Sequence, residues 1–227
     1  MQGRLIVFEG VEGSGKTTQM LRSQAWLLES QWFQSLQAQK SAPAILVTRE
    51  PGGTELGLEL RQLLLGYQGS EAIQNRAELL LYAADRAQHV DGYLRPQLAQ
   101  GAVILCDRYT DSTIAYQGYG RGLDLALIDQ LNEAATGGLE SDLTVWLDID
   151  ADVGLARMRQ RGKADRIEQA DLAFHQRVQQ GFQALHQQYP ERIVRIDASQ
   201  SEQAVAQQIQ QVLSQHLMQW YQPLMHL

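Results

Sequence analysis

Five short apolar runs constrain the fold of this 227-residue chain most strongly. They are rich in large aliphatic or β-branched residues, and they cover positions 5–9, 45–48, 103–106, 143–147 and 193–196. Long stretches with helical periodicity separate them, which is typical of βαβ units that form a parallel sheet buried on both faces. We therefore predict a single α/β domain over residues 1–227, because no linker or internal repeat divides the chain.

The stretches between the apolar runs predict six helices. Their periodic apolar residues cover positions 16–30, 71–90, 123–135, 152–161, 172–188 and 202–217. The pattern makes 71–90 the longest helix. Residues 30–43 leave two possibilities open, an extension of the first helix or a surface excursion.

The charge balance excludes one broad class of function. Lys and Arg number 19 against 26 Asp and Glu, which gives a net charge of -7. General nucleic-acid binders neutralise phosphates with a basic face, so this chain is not expected to be one. A small anionic substrate stays compatible, because a local cluster of arginines can hold it within an acidic protein.

Cysteine content and hydropathy indicate a cytoplasmic protein. Cys106 is the only cysteine, so no internal disulfide is possible, and its apolar neighbours predict a buried thiol. No apolar stretch approaches the roughly 20 residues that a membrane-spanning helix needs. The charged first strand leaves no room for a signal peptide. We therefore expect no membrane partner.

One motif predicts the chemistry. It matches GxxxxGK[ST] in full and consists of Gly10, Val11, Glu12, Gly13, Ser14, Gly15, Lys16 and Thr17. It directly follows the first apolar run and opens a helix, which is the context that a P-loop requires. Its glycines let backbone N–H groups face phosphate oxygens, and the helix N-terminus favours their negative charge.

The P-loop predicts ATP and magnesium but no acceptor. We expect the motif and Thr18 to bind ATP, with Lys16 reaching the β- and γ-phosphates and the Thr17 hydroxyl ligating Mg²⁺. P-loops occur in motors, switches, transporters and kinases alike, so the motif alone does not decide between them.

A second group of residues predicts an acceptor site at the same edge of the sheet. Arg49 and Arg108 each follow a predicted strand, and the carboxyl ends of parallel strands gather at one edge. Tyr82 and Arg86 are four residues apart and share a helical face. Two arginines can clamp a monophosphate, while a ring beside a guanidinium suits a base. Each arginine alone could form a surface ion pair, but their joint placement favours a nucleotide site.

Six segments together resemble the bacterial thymidylate (dTMP) kinases. They extend from about residue 4 to about residue 200 and read FEGVEGSGKTTQ, TREPGGT, AELLLYAADRAQ, DRYTDSTIAYQGYGRG, DLTVWLDID and VGLARMRQRGKADRIEQ. The resemblance implies a three-layer P-loop fold, with a five-stranded parallel sheet between helices and a short lid. It also implies Mg²⁺-dependent transfer of the γ-phosphoryl group of ATP to dTMP, for dTTP biosynthesis, by a homodimer.

The resemblance assigns roles to the acceptor residues. Glu12 is similar to the acidic residue that meets the sugar 3′-hydroxyl, and Arg49 and Arg108 match the arginines that hold the dTMP phosphate. Tyr82 takes the place of the aromatic residue, usually phenylalanine, that stacks on thymine. Arg86 matches the arginine that bonds the base.

The resemblance also assigns the rest of the base pocket and the metal. Thr113 and Gln117 resemble residues that line the thymine pocket. Asp107, at the end of the third strand, resembles the acid that organises Mg²⁺ through water. With Thr17 it forms the implied metal site.

A lid is implied at about residues 151–167. The P-loop carries no arginine, and in such relatives a lid arginine supplies positive charge to the transferring phosphoryl group. Arg161 is our first choice and Arg157, which shares its helical face, the second. They join Lys16, Glu12 and Arg108 in the implied catalytic set.

Other parts of the lid region have less definite expectations. Arg159 is equally compatible with a solvated helix face, and Lys163 belongs to the same basic run. Asp165 and Arg166 resemble residues of the closing lid, and Asp197 with the following alanine resembles a segment that flanks adenine. The tail at 216–227 extends beyond the resemblance and is expected to dock on the body; a partner surface is the alternative.

Two other functions stay open. Tyr82 and Asp85 depart from the commoner residues of the family, so the acceptor could be another nucleoside monophosphate, such as dUMP, or a deoxynucleoside. A P-loop regulatory switch is the alternative from a different class. In-line transfer needs no histidine nucleophile, so His89, His175 and His186 are expected to be packing or surface residues.

Overall fold

The central sheet contains five parallel strands. The computed structural model describes residues 2–38, 42–162 and 165–221, with only the backbone of Arg161. The strands are β1 (Arg4–Glu9), β2 (Ile45–Arg49), β3 (Val103–Asp107), β4 (Leu143–Asp148) and β5 (Ile193–Asp197). Their order is β2-β3-β1-β4-β5 and every pair is parallel, so the predicted sheet is confirmed.

Helices cover the sheet on both faces. In chain order they are α1 (Lys16–Glu29), α2 (Gln31–Ala38), α3 (Glu55–Gly66), α4 (Asn75–His89), α5 (Arg95–Ala99), α6 (Thr110–Thr113), α7 (Leu125–Thr136), α8 (Ala151–Arg161), α9 (Leu172–Gln188) and α10 (Glu202–Tyr221). Two π-helical segments, Val90–Leu94 and Ile114–Gly120, continue α4 and α6 directly.

The core has two parts because side chains alternate across the sheet. Ile6 and Phe8 of β1 belong to the larger cluster, which includes apolar residues of α1, α9 and α10. Leu5 and Val7 point the other way and belong to a smaller cluster with the first π-helical segment. Strand β1 is thus buried on both faces and lies at the centre of the sheet.

Several predicted helix boundaries are wrong for identifiable reasons. Helix α4 begins only after Gln74, its N-cap, and the helical path does not end at residue 90 because the π-helical segment and α5 prolong it. The longest α-helix described is α10 with 20 residues, against 15 for α4. Helix α3 was not predicted, although Thr54 caps it by accepting the N–H of Gly57 at 3.0 Å.

The 30–43 segment matches neither expectation fully. Ser30 leaves the helical conformation and its hydroxyl accepts the N–H of Phe33 at 3.2 Å, so a separate helix, α2, begins there. Trp32 of α2 contacts Tyr221, with ring centroids 5.5 Å apart. Residues 39–41 lie outside the described part of the chain.

The described part of the tail docks on the body. Helix α10 continues to Tyr221, which is buried and donates its hydroxyl to the Gln2 carbonyl at 3.0 Å. The guanidinium of Arg4 lies over the Trp220 ring. Docking is thereby confirmed up to residue 221, whereas positions 222–227 lie outside the described residues.

The structure also bears on the predicted burial of the cysteine and on the question of membrane-spanning helices. Cys106 is buried within β3, and burial raises the pKa of its thiol well above the usual value. Within residues 2–38, 42–162 and 165–221, no helix combines the length and apolar character needed to cross a membrane.

Candidate active site

One cavity of about 750 Å³ opens beyond the carboxyl ends of β1, β2 and β3. It brings together most of the predicted site residues: Glu12, Gly13, Lys16, Thr17, Arg49, Tyr82, Arg86, Asp107, Arg108, Thr113 and Gln117. Gly10, Val11, Ser14, Gly15 and Thr18 belong to the adjoining loop and helix rather than to the lining. The predicted donor and acceptor residues thus share one space.

The P-loop owes its path to glycine. Gly13 has φ 71°, and a Cβ there would lie 2.0 Å from the Gly154 carbonyl oxygen of α8. Gly15 has φ 89° and is the N-cap of α1. Glycine adds no side chain of its own over the amides of this turn, which suits them to phosphate oxygens.

Lys16 lies across the loop that precedes it. Its Nζ donates to the Gly10 and Val11 carbonyls at 2.9 Å each, and Ser14 Oγ is 3.4 Å away. Burial, with Arg108 nearby, lowers the pKa of Lys16 to about 8. The ammonium group is therefore already oriented and largely desolvated where a phosphate would bind.

The implied metal residues are in direct contact. The Thr17 hydroxyl donates to Asp107 Oδ2 at 2.6 Å, and both side chains line the cavity. The described residues contain no group of three or more His, Cys, Asp or Glu suited to a metal. Such a sparse set of oxygen ligands fits Mg²⁺, which keeps several waters and substrate phosphates.

Arg108 joins the P-loop to the acceptor side. Its NH2 is 2.9 Å from both Glu12 Oε1 and the Tyr116 hydroxyl oxygen, while NH1 donates to Ser112 Oγ at 3.0 Å. The Tyr116 hydroxyl also bonds Glu12 at 2.7 Å. Burial alone would raise the pKa of Glu12, but Arg108 and His175 hold it well below its usual range. Glu12 is thus a fixed acceptor for a hydroxyl group.

Glu9 supports the unusual backbone of Arg108, and the sequence reasoning missed it. Arg108 has φ 72°, in the left-handed region. Glu9 accepts the N–H groups of Tyr109 and Ser112 at 2.9 and 3.1 Å and the Ser112 hydroxyl at 2.6 Å. Burial raises the pKa of Glu9 to about 7. The sequence did offer a signal for Glu9, because a carboxylate at the end of an otherwise apolar strand is unusual.

Arg86 is held mainly by the protein itself. Its Nε donates to Glu50 at 2.8 Å, NH1 donates to Thr113 and Asn132, and NH2 donates to the Tyr109 carbonyl. Four of five guanidinium hydrogens are thus used, which leaves one for the predicted base contact. Glu50, another residue that the sequence reasoning missed, directly follows β2 and anchors this arginine.

The three histidines are placed differently from one another. His89 is fully buried and bridges Glu50 and Thr48 at 2.9 and 2.7 Å, which confirms a packing role. The His186 Nδ1 lies 2.8 Å from the Ile193 carbonyl. His175 is also buried, but its Nδ1 faces Glu12 Oε2 at 3.2 Å, so it contributes to the site as well.

Tyr82 and Arg49 line the cavity as predicted. Burial and the nearby Glu78 raise the pKa of the Tyr82 hydroxyl. Arg49 is exposed and is the register partner of Asp107. Asp85 does not line the cavity; it accepts the Gly52 N–H at 3.0 Å, so any influence on the base passes through that loop.

The lid arginines differ in their contacts. Arg157 NH1 donates to the Ala198 carbonyl at 3.1 Å, which joins it to the segment expected beside adenine, and Arg157 does not line the cavity. Arg159 is exposed. Arg161 ends α8, but its side chain and Lys163 lie outside the described residues.

The end of the predicted lid contributes to the cavity wall. Asp165, Ile167 and Glu168 line the cavity. Arg166 donates to the Leu64 carbonyl at 2.8 Å and to Glu78 Oε2 at 2.5 Å. The sequence reasoning missed Glu78. It lies four residues before Tyr82 on α4, so helical spacing could have placed both residues on the same face.

The fold and site define a class of protein: a P-loop kinase with a phosphate-binding loop and an arginine-bearing acceptor cavity at the carboxyl edge of a parallel sheet. Comparison with known proteins identifies the family. The Thymidylate kinase family model matches residues 8–209. The chain belongs to the thymidylate kinase family.

Relatives support this assignment along nearly the whole chain. A thymidylate kinase of Cyanothece sp. is 63% identical and covers 97% of both chains, and one of Nostoc punctiforme is 61% identical over 96% of this chain and 98% of its own. Among solved structures, the thymidylate kinase of Ehrlichia chaffeensis superimposes with a TM-score of 0.72 at 32% identity. The match covers 94% of this chain and 99% of that one.

Proposed function

We propose that this enzyme transfers the γ-phosphoryl group of ATP to dTMP, giving ADP and dTDP for dTTP biosynthesis. The observation that carries the proposal is the shared cavity, in which Lys16 of the P-loop and Arg108 face the same space as Tyr82. A regulatory switch has no use for an arginine and an aromatic ring at a second site. The thymidylate kinase relatives support the same acceptor.

The proposed reaction is a direct in-line transfer. Phosphoryl transfer needs mainly alignment and charge neutralisation, so no covalent enzyme intermediate is required. Arg49 and Arg108 hold the acceptor phosphate, Glu12 accepts the sugar hydroxyl, and Lys16 compensates charge on the donor. The bond from Arg108 to Glu12 holds these two acceptor contacts in a fixed relation.

Thr17 and Asp107 are the proposed residues for Mg²⁺. The Thr17 hydroxyl and Asp107 Oδ2 lie 2.6 Å apart. This supports the proposal that they would hold the ion beside the P-loop, where it would neutralise charge on the ATP phosphates. Arg161 is the proposed catalytic lid arginine. Arg157 is the weaker choice because its guanidinium already bonds the Ala198 carbonyl.

The lid, assembly and location are proposals of the same kind. One domain over residues 1–227 carries a lid at about 151–167 that closes over the cavity and excludes water.

We propose a homodimer, because the neighbouring helices α3, α4 and α7 carry six exposed leucines: Leu56, Leu58, Leu63, Leu80, Leu125 and Leu127. The proposed location is the cytoplasm, where ATP and Mg²⁺ are abundant.

A panel of acceptors tests the reaction. ADP release from ATP and Mg²⁺ would be measured with dTMP, dUMP, dGMP, dCMP and AMP, and without any acceptor. We expect the highest kcat/KM with dTMP and little ADP without an acceptor. Equal ADP release without acceptor would establish a switch-like NTPase instead, and a higher value for another monophosphate would replace dTMP as the substrate.

A further inference from the structure

Gln117 has an amide whose orientation is determined by its neighbour. The side chain is 3% exposed and lines the cavity together with Tyr82 and Thr113. Its Nε2 lies 3.0 Å from Glu78 Oε1. A carboxylate can only accept hydrogen bonds, so the NH2 group, and not the carbonyl oxygen, must face Glu78.

Glu78 is suited to hold that orientation. It is 1% exposed and receives Arg166 NH2 at 2.5 Å on Oε2, with Arg121 Nε at 3.4 Å from Oε1. Two guanidinium groups thus compensate the buried charge, as a buried carboxylate requires. Among the described residues, every side-chain contact of Glu78 uses its carboxylate as an acceptor, so this carboxylate has no hydrogen to offer Gln117.

The carbonyl oxygen of Gln117 is the end of the amide left for a ligand. Within the described parts of the chain, no donor forms a hydrogen bond with Gln117 Oε1. An oxygen in this position accepts a hydrogen bond from the N3–H of thymine or uracil. Cytosine presents a lone pair at N3, which the same oxygen repels.

We propose that Glu78 is a positioning residue for base specificity: it fixes the Gln117 amide so that its oxygen recognises the N3–H of the acceptor base. The proposal rests on the proposed function, because it places a thymine beside Tyr82 and Gln117. Glu78 itself does not line the cavity and acts through Gln117.

The test replaces Glu78 by its amide. Glu78→Gln keeps the shape but can both donate and accept, so the amide of Gln117 is free to rotate and to offer its NH2 to cytosine. We expect the ratio of kcat/KM for dTMP to that for dCMP to fall about tenfold, the effect of one reoriented hydrogen bond. The ratio for dTMP to dUMP stays unchanged, because both bases carry N3–H.

Arg121→Gln is the matched control. It removes a cation that contacts Glu78 at 3.4 and 3.5 Å but does not touch the Gln117 amide or line the cavity. We expect Arg121→Gln to lower the rate with all acceptors. The ratio of kcat/KM for dTMP to that for dCMP should stay unchanged. A fall in that ratio equal to the one in Glu78→Gln would overturn the proposal, since any disturbance around Glu78 would then suffice.

Gln117→Leu supplies an independent test if Glu78→Gln does not fold. It removes the recognising oxygen, so the same selective loss against dCMP is expected. Full retention of the dTMP preference in either variant overturns the proposal. By contrast, a wild-type enzyme that does not phosphorylate dTMP would overturn the proposed function, so the two failures are distinguishable.

Discussion

At the scale of residues, the site depends on pairs that hold each other in place. Arg108 and Glu12 contact at 2.9 Å, and Tyr116 bonds both of them. Because these groups already bond one another, they lose little freedom when a ligand binds. Preorganisation of this kind favours positioning and charge neutralisation over covalent chemistry.

We expect Arg161→Ala to lower kcat by a factor on the order of 10³ while the KM for dTMP stays nearly constant, as for loss of an arginine finger. Steady-state kinetics with varied dTMP and ATP checks this. Arg159→Ala, an exposed position on the same helix, is the control and should keep its kcat. Turnover near the wild-type value in Arg161→Ala would remove this residue from catalysis.

At the scale of elements, the loop after β2 depends on a buried carboxylate of α4. Asp85 is 1% exposed and its Oδ1 accepts the Gly52 N–H. Burial, with Glu50 nearby, raises the pKa of Asp85 from 3.8 to about 6. The folded state therefore binds this proton more tightly than the unfolded state does. The resulting stability is present below about pH 3.8 and is lost as pH rises through about 6.

Asp85→Asn should therefore stabilise the fold above pH 6, because asparagine keeps the acceptor for Gly52 without a charge. We expect a gain on the order of 1 kcal/mol, or about 2–4 °C in Tm, at about pH 7.5, and a smaller gain at about pH 5. Thermal unfolding at both values measures it. Asp91→Asn, at an exposed carboxylate nearby, is the control. A Tm difference that does not change with pH would contradict this account of Asp85.

Some elements were predictable from local pattern and others were not. All five strands were predicted to within one residue at each end, because a buried parallel strand is a continuous apolar run. Helix α3 was missed since Leu56, Leu58 and Leu63 are exposed, so its apolar residues do not follow one buried face. The π-helical segments have no pattern of their own, because they only continue a neighbouring helix.

At the scale of the whole molecule, the exposed leucines of α3, α4 and α7 favour an assembly. Leu80 on α4 is 55% exposed, and α4 packs against both other helices. Large apolar side chains exposed on adjoining elements are typical of protein–protein contacts. The dimer proposal rests on these side chains, of which Leu80 is the most exposed.

Leu80→Glu should convert the proposed homodimer into a monomer, because a charge would be buried in the proposed interface. Light scattering after size exclusion measures the mass of both forms. Met218→Glu, at a comparably exposed apolar residue of α10, is the control and should leave the mass unchanged. A monomeric wild-type protein, or a dimer that tolerates Leu80→Glu, would be incompatible with the proposed interface.

The sequence by itself determined the sheet and the P-loop, and most of the site residues it predicted do line the cavity. Those features depend on short-range patterns: apolar runs, glycine spacing and residues that follow strands. The left-handed Arg108, its support by Glu9, and the contact of His175 with Glu12 were decided by tertiary structure alone. Their partners are far apart in the chain, so only the packing of helices on the sheet brings them together. Glu78 is a similar case: helical spacing places it beside Tyr82, but only the fold brings its carboxylate to within 3.0 Å of the Gln117 amide.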